Sequence, residues 1–257
     1  MCVANPQQYF IQLAYDGTRY HGWQIQPNAV TVQELLNEAL ATVLRRVVET
    51  TGCGRTDAGV HAKQFFAHFT PPPPPEGRAF DMDLEKFVRS LNALLPHDIA
   101  IKRVIPLHAD AHARFDATLR SYEYHIHFEK DPFLTNYSWQ LRDRPDVALM
   151  NQAAAIMMEY TDFGCFSKSN TQVKTNNCKI SKAEWVEKDG KLIFRISADR
   201  FLRNMVRAIV GTMLMVGKGE IHPEGIRQII QSKNRSNAGT SVPACGLYLT
   251  EVKYPYL

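Results

Sequence analysis

The chain has 257 residues, 45% of them hydrophobic and 22% charged, with a formal net charge of +4 and a pI near 8.7. That is the composition of a globular protein with one large or two modest domains. The mild basic excess is compatible with nucleic acid without requiring it. Five cysteines, Cys2, Cys53, Cys165, Cys178 and Cys245, are odd in number and lack a C-x-x-C pair. They read as reduced thiols of a cytoplasmic protein rather than a disulfide framework or a zinc site. The amino terminus has no basic segment followed by an apolar run, and no apolar stretch approaches membrane-spanning length. No P-loop, G-x-G-x-x-G or H-E-x-x-H motif is present, so neither a nucleotide cofactor nor a metal is expected.

Taken in order, Tyr9 to Tyr15 alternates and runs into Asp16-Gly17-Thr18, a strand entering a turn. Tyr20, His21, Gly22, Trp23, Gln24 and Gln26 follow. Their aromatics and amides suit base stacking and hydrogen bonding, and suit equally a loop with Trp23 as a core anchor. Thr31 and Glu34 form a capping box ahead of Val32, Leu35, Leu36, Ala39, Leu40 and Val43 at helical spacing. Arg45 and Arg46 close that helix at its negative end. Ala62 to Phe69 reads as a strand, and five prolines (71–75) as a stiff connector. Asp83 caps a helix that stops at Pro96, and Ile99 to Ile105 is a strand.

The second half begins near His108. In the strand Leu119 to Phe128, Tyr122, Tyr124, Ile126 and Phe128 face one way, and Ser121, Glu123, His125 and His127 the other. A helix is expected over 145–160. Two strands, 178–186 and 192–198, join around Asp189-Gly190, a hairpin signal. Helices over 201–216 and 222–231 and a last strand over 247–254 complete the chain. Both halves mix strands and helices alike, which predicts two related lobes, 1–107 and 108–257.

The chemistry is expected in Gly52-Cys53-Gly54-Arg55-Thr56-Asp57-Ala58-Gly59-Val60-His61-Ala62. Its glycines permit tight bends. The cation Arg55 favours an ionised Asp57, ready as nucleophile or base. The same residues also suit a structural turn with an Arg55–Asp57 pair.

Arg207 lies beside the apolar stripe of the 201–216 helix. There it needs an anion if desolvated, or else snorkels to solvent. Arg203, one turn earlier, points the same way toward a phosphate. Tyr122 suits core filling or stacking on a base. His61, His112 and His125 have no Ser or Cys partner in view and are read as structural or RNA-contacting. Glycosidic hydrolysis ordinarily takes two carboxylates, and only one sits in a motif-like setting, although a fold could add Asp16 or Asp162.

Several stretches taken together resemble the tRNA pseudouridine synthase A family. Tyr15 through Gln26 is similar to its opening motif, and Gly54 through Ala62 to its catalytic loop. His112-Ala113-Arg114-Phe115-Asp116-Ala117, leading to Arg120-Ser121-Tyr122-Glu123-Tyr124, is similar to the segment with the active-site tyrosine. Asp162-Phe163, Phe201 through Arg207 and Cys245 through Leu249 follow in the family's order.

The resemblance implies an α+β fold of two ferredoxin-like (RRM-like) lobes sharing a central, mostly antiparallel sheet, with a cleft between them. The catalytic Asp loop would lie in the first lobe. The second would carry the tyrosine, the arginine and the dimer interface. The implied activity is isomerisation of uridine to pseudouridine in the anticodon stem-loop of tRNA, by a cytoplasmic homodimer without cofactor or metal. The implied site is Asp57 as nucleophile, Tyr122 stacked on the base, Arg207 paired to the aspartate and Arg55 in flipping the nucleotide. Departures are Asp116, where the family commonly has serine, Ile25, where a basic residue is frequent, and Thr175-Asn176-Asn177-Cys178, which lacks an arginine before the hairpin. The rival reading from another class is a tRNA-binding or folding-helper protein on the same scaffold. An RNA N-glycosidase is a third.

Overall fold

The structure, a computed structural model, describes residues 8–71, 83–168 and 175–257. The amino-terminal segment and most of the proline connector, both read from sequence above, lie outside the described residues. The chain is α+β, with five α-helices and largely antiparallel strand pairing among the described residues. Its contacts divide it into two units. The first runs to Ala117 and regains Tyr254–Leu257; the second is Thr118–Lys253. No helix among the described residues is long and apolar enough to cross a membrane.

The first unit contains β1 (Gln8–Tyr15), α1 (Val32–Leu44), β2 (Thr51–Gly52), β3 (His61–Phe69), α2 (Leu84–Leu94) and β4 (Ile99–Leu107). β1 pairs antiparallel with β4 on one side and β3 on the other, and β2 adds to β3. A central strand has neighbours on both edges and packing on both faces. Accordingly Tyr9, Phe10 and Ile11 are all buried, which overrides the simple alternation.

α1 starts where the capping box predicts: Thr31 Oγ1 accepts from Glu34 N, and Glu34 Oε2 accepts from Thr31 N. It ends at Arg45, whose φ of 54° is left-handed. In α2, Asp83 accepts from Lys86 N at 3.0 Å, and Phe87 and Leu91 are buried. The β1–β4 register shifts between Gln12 and Leu13, and Asn92 of α2 bonds both the N–H (2.7 Å) and the C=O (2.9 Å) of Ile101 beside it. A side chain thus satisfies polar groups at the irregularity.

Residues 108–117 group with the first unit rather than opening the second. His68 Nδ1 of β3 accepts from Ala113 N (3.1 Å), and Asp116 Oδ2 accepts from His112 N (2.7 Å). The last residues return here as well. Tyr254 lies edge-on to Phe10 and Phe66 and donates to Ala113 O at 2.6 Å.

The second unit contains β5 (Leu119–His127), β6 (Trp139–Gln140), α3 (Val147–Met157), β7 (Ile180–Lys188), β8 (Lys191–Ala198), α4 (Met205–Gly217), α5 (Gly225–Ser232) and β9 (Leu247–Lys253). The strand order is β9-β5-β8-β7, all antiparallel, with β6 pairing parallel to β5. The β7–β8 hairpin turns on Asp189 (φ 50°) and Gly190 (φ 72°), as that dipeptide predicts. Asp146 caps α3, and Asn151 bonds the backbone N–H and C=O of Trp185, fixing the helix to β7.

Two helix starts differ from the periodicity. Phe201–Asn204 is a turn, because Asn204 is left-handed (φ 65°), so α4 begins at Met205 and Arg203 lies before it. α5 begins at Gly225, beyond Pro223. The apolar spacing of 201–204 belongs to a turn that buries Leu202 (4% exposed) and leaves Arg203 exposed.

Candidate active site

Asp57 stands on the loop between β2 and β3, and that loop is held by the stretch that follows β1. Cys53 N donates to Phe66 O at 2.7 Å, anchoring the loop's entry to β3. Thr56 is buried, and its two oxygens serve different partners. The hydroxyl bonds Tyr15 OH at 2.8 Å, and the carbonyl accepts from Trp23 N at 3.3 Å. Gly59 N donates to Tyr20 O at 3.2 Å, and Val60 N to Asp57 O at 3.2 Å, closing the turn. Asp57 itself is half-buried, and Arg55 is exposed.

The loop's supports are fixed in their turn. Trp23 is 2% exposed and stacks on Phe65 with centroids 4.2 Å apart, so it is a core anchor rather than an open stacking surface. Tyr20 is buried and its hydroxyl bonds Asp98, which also takes Arg19 Nη2 at 2.7 Å. Gln33 N of α1 donates to Trp23 O, while Gln33 and Asn37 bond the backbone of Thr50. One helix therefore grips both stretches that flank the candidate loop.

Of the three loop glycines, Gly59 has a positive φ (78°), and Gly52 lets the Trp23 indole approach; at Gly54 an added Cβ would meet nothing within 4 Å. The more demanding glycine is Gly22. Its φ is +88°, and a Cβ there would stand 2.3 Å from Thr56 O.

The three histidines resolve differently. His61 is buried, accepting from Gly17 N at 3.1 Å with Asp16 Oδ1 3.0 Å away. His125 bonds Glu123 at 3.0 Å and packs on Tyr248. His112 Nδ1 accepts from the backbone N–H groups of Arg114 and Phe115. All three hold structure.

In the second unit Tyr122 is half-buried on β5, opposite Ile196 of β8 and Leu249 of β9, and edge-on to Phe201 at 5.1 Å. The β5–β9 register shifts between Ser121 and Tyr122, so the sheet irregularity falls beside this tyrosine. Arg207, on the first turns of α4, is half-buried and donates Nε–H to Val242 O at 2.7 Å. Tyr124 OH donates to the next carbonyl, Pro243 O, at 2.8 Å. Burial raises the Tyr124 phenol, and the Arg207 charge opposes that shift. Arg207 therefore lies on the same face of β5 as Tyr124, and Tyr122 two residues away shares that face.

No motif marks the segment 238–243 that holds Arg207. It is clamped by Gly239 N to Thr212 Oγ1 (2.8 Å), Arg235 Nη2 to Ser241 Oγ (3.0 Å) and Asn204 Nδ2 to Ser241 Oγ (2.5 Å). Gly211 of α4 and Gly239 meet without side chains; a Cβ on Gly211 would lie 1.8 Å from Thr240 O. A glycine within an apolar helix, paired with a later Ala-Gly-Thr-Ser, was the available signal.

A family model described as tRNA pseudouridine synthase matches residues 12–116 and 160–255. Asp57, Arg55 and Arg207 fall inside the matched stretches, and Tyr122 between them. A Bacteroides fragilis protein named tRNA pseudouridine synthase A is 52% identical over 250 residues, covering 97% of each chain. A Porphyromonas gingivalis protein of the same name is 49% identical, covering 96% of this chain and 97% of its own. One from Clostridium acetobutylicum is 39% identical, covering 95% and 98%. With near full-length relatives at these identities and a family model matched on both sides of β5, the chain belongs to the tRNA pseudouridine synthase family.

Proposed function

We propose that the protein isomerises uridine to pseudouridine in the anticodon stem-loop of tRNA, with Asp57 as the nucleophile and with neither metal nor cofactor. The observation that carries this reading is the full-length relatedness, with Asp57 on a loop whose backbone is held from three sides. Such a loop presents one carboxylate in a fixed place, as covalent catalysis demands. The target base must first leave its stack, which costs a few kcal/mol. Arg55, being exposed, is suited to fill the vacated space or hold its phosphate, and Tyr122 to stack on the flipped ring. Arg207 is assigned to orient the Asp57 carboxylate.

Asp57 promotes cleavage of the N1–C1′ bond; the freed uracil turns and rejoins through C5, and the C5 proton is lost. No water is consumed, so one carboxylate suffices where glycosidic hydrolysis uses two. In this reading the two units are ferredoxin-like lobes, the enzyme is a cytoplasmic homodimer, and one tRNA is gripped by both subunits.

Tritium release from tRNA carrying 5-tritiated uridine tests the activity, because binding alone never breaks the C5–H bond. Asp57→Asn should bind tRNA as tightly as the parent yet release tritium at least about a thousandfold more slowly, the scale of losing a catalytic group. Appreciable turnover by that variant refutes the role. A parent protein that binds tRNA and releases no tritium is the silent binder instead.

A further inference from the structure

We infer that Asp98 is a positioning residue for the reaction: acting through Tyr20, it fixes where the Asp57 loop stands. This rests on the role proposed above for Asp57 and adds to it a residue that no motif marks.

One stretch of chain holds the loop on both sides of Asp57. Before it, Thr56 takes Trp23 N on its carbonyl and Tyr15 OH on its hydroxyl. After it, Gly59 N donates to Tyr20 O at 3.2 Å, and Val60 N closes back on Asp57 O. The loop's exit is pressed on the same stretch, for a Cβ on Gly17 would lie 2.0 Å from Val60 O, and His61 Nδ1 accepts from Gly17 N. Wherever residues 15–23 stand, the backbone of 56–61 stands with them.

Beyond β1 that stretch has no ladder of its own, so its place depends on the bonds its backbone and side chains find. Asp98 supplies three. Its carbonyl accepts from Asp16 N at 2.9 Å. Its carboxylate accepts from Tyr20 OH and from Arg19, whose Nε and Nη2 each lie 2.7 Å from Oδ2. Asp98 is itself fixed by the sheet. It directly precedes β4, whose first residue, Ile99, pairs with Tyr15 and donates its N–H to Pro96 O.

Tyr20 carries the greater part of this hold. Arg19 is 68% exposed, and an ion pair so open to water contributes little. Tyr20 is buried, and its bond to a carboxylate is charge-assisted and shielded from water. Burial, and after it the bond to Asp98, raises the phenol well above its ordinary range, so it remains a donor. The same residue is bonded at its other end, where its carbonyl takes Gly59 N. Asp98, Tyr20 and Gly59 thus form one chain of contacts ending two residues from the carboxylate proposed to react. Misplacing a reacting group by about 1 Å costs on the order of a hundredfold in rate, so the effect belongs to turnover more than to folding.

The test takes the full-length parent, Tyr20→Phe, Asp98→Ala and Asp98→Asn, all at a temperature where melting curves show them folded. Amide hydrogen exchange over 56–61, single-turnover tritium release and tRNA affinity are read on each. Tyr20→Phe keeps the ring and the carbonyl and loses only the hydroxyl. It and Asp98→Ala should speed exchange at Gly59 and Val60 roughly tenfold and slow tritium release roughly tenfold to a hundredfold, with tRNA affinity unchanged. Asp98→Asn keeps an acceptor for Tyr20 OH and should lie nearer the parent than the alanine in both readouts. Tyr20→Phe combined with Asp98→Ala should be little slower than the slower single variant, because the two break one contact chain. The inference is overturned if exchange over 56–61 stays parental, if tRNA affinity falls along with the rate, if asparagine does no better than alanine, or if the two losses multiply. The parent separates the two claims. An active parent whose variants exchange and react as it does sinks the positioning role alone. A parent that releases no tritium, with exchange still quickened in the variants, sinks the isomerase reading and leaves Asp98 holding the loop.

Discussion

Thr56 ties the candidate loop to the rest of its unit, because its hydroxyl and its carbonyl answer to different partners, Tyr15 and Trp23. Gly22 makes that approach possible. Gly22→Ala would strain a φ of +88° and press a methyl against Thr56 O. We expect a loss of about 1–3 kcal/mol in urea unfolding and a fall in kcat that remains at temperatures where the variant is folded. A variant of parental stability and rate would mean that the loop's position is set elsewhere.

His68 supplies a pH dependence. Burial, with the charge of His112 second, lowers it from the usual 6.5 to about 4. Below pH 6.5 the unfolded chain takes up a proton that the folded one refuses, so this contribution to stability is lost as pH falls from 6.5 toward 4. His68→Asn keeps an acceptor for Ala113 N without the titration. Its stability should fall less than the parent's between pH 7 and 4.5, by about 1–2 kcal/mol; parallel curves would refute the assignment. Asp116 finds its reason here too. The His112 N–H and then Tyr256 OH hold its carboxyl below the usual range, and it latches the chain's end to 112–116.

At the scale of elements, α4 matters less for its apolar stripe than for the segment laid against it. Val242 N donates to Arg207 O and Arg207 Nε to Val242 O, so the arginine and residues 238–243 position each other. Gly211→Ala would drive a methyl to 1.8 Å from Thr240 O, where backbone must move. The expected outcome is a destabilisation of about 1–3 kcal/mol and, on the role proposed for Arg207, a loss of turnover beyond what unfolding explains. Melting curves and turnover on the same sample decide it; a stability loss with kcat intact would detach Arg207 from that seat. The α3–β7 and β7–β8 contacts need no such device. A capping Asp and an Asp-Gly turn act locally, and Asn151 bonds Trp185 directly across the helix–strand contact.

For the molecule as a whole, the chain's end is part of the first unit although the strand before it is not. Ending the chain at Lys253 removes the Tyr254 ring from Phe10 and Phe66 and the Tyr256 bond to Asp116. A loss of about 3–5 kcal/mol is expected from urea unfolding, the scale of deleting a buried aromatic, whereas Tyr254→Phe should lose only about 1 kcal/mol. A truncation that melts like the parent would show the tail to be ornamental.

Most element types, the capping residues of α1 and α2, the β7–β8 turn and the family could be read from residues alone, because caps, turns and periodicity act over a few neighbours. Three matters awaited the tertiary structure. The burial of Trp23 and Tyr20 depends on Phe65 and Asp98, far away in the chain. The start of α4 at Met205 depends on a left-handed Asn204, bonded to Ser241, that apolar spacing conceals. The grouping of 108–117 and 254–257 with the first unit depends on His68, Ala113 and the terminal tyrosines. Each is settled by partners dozens of residues distant, and no local pattern carries the free energy of a contact that exists only once the chain has closed on itself.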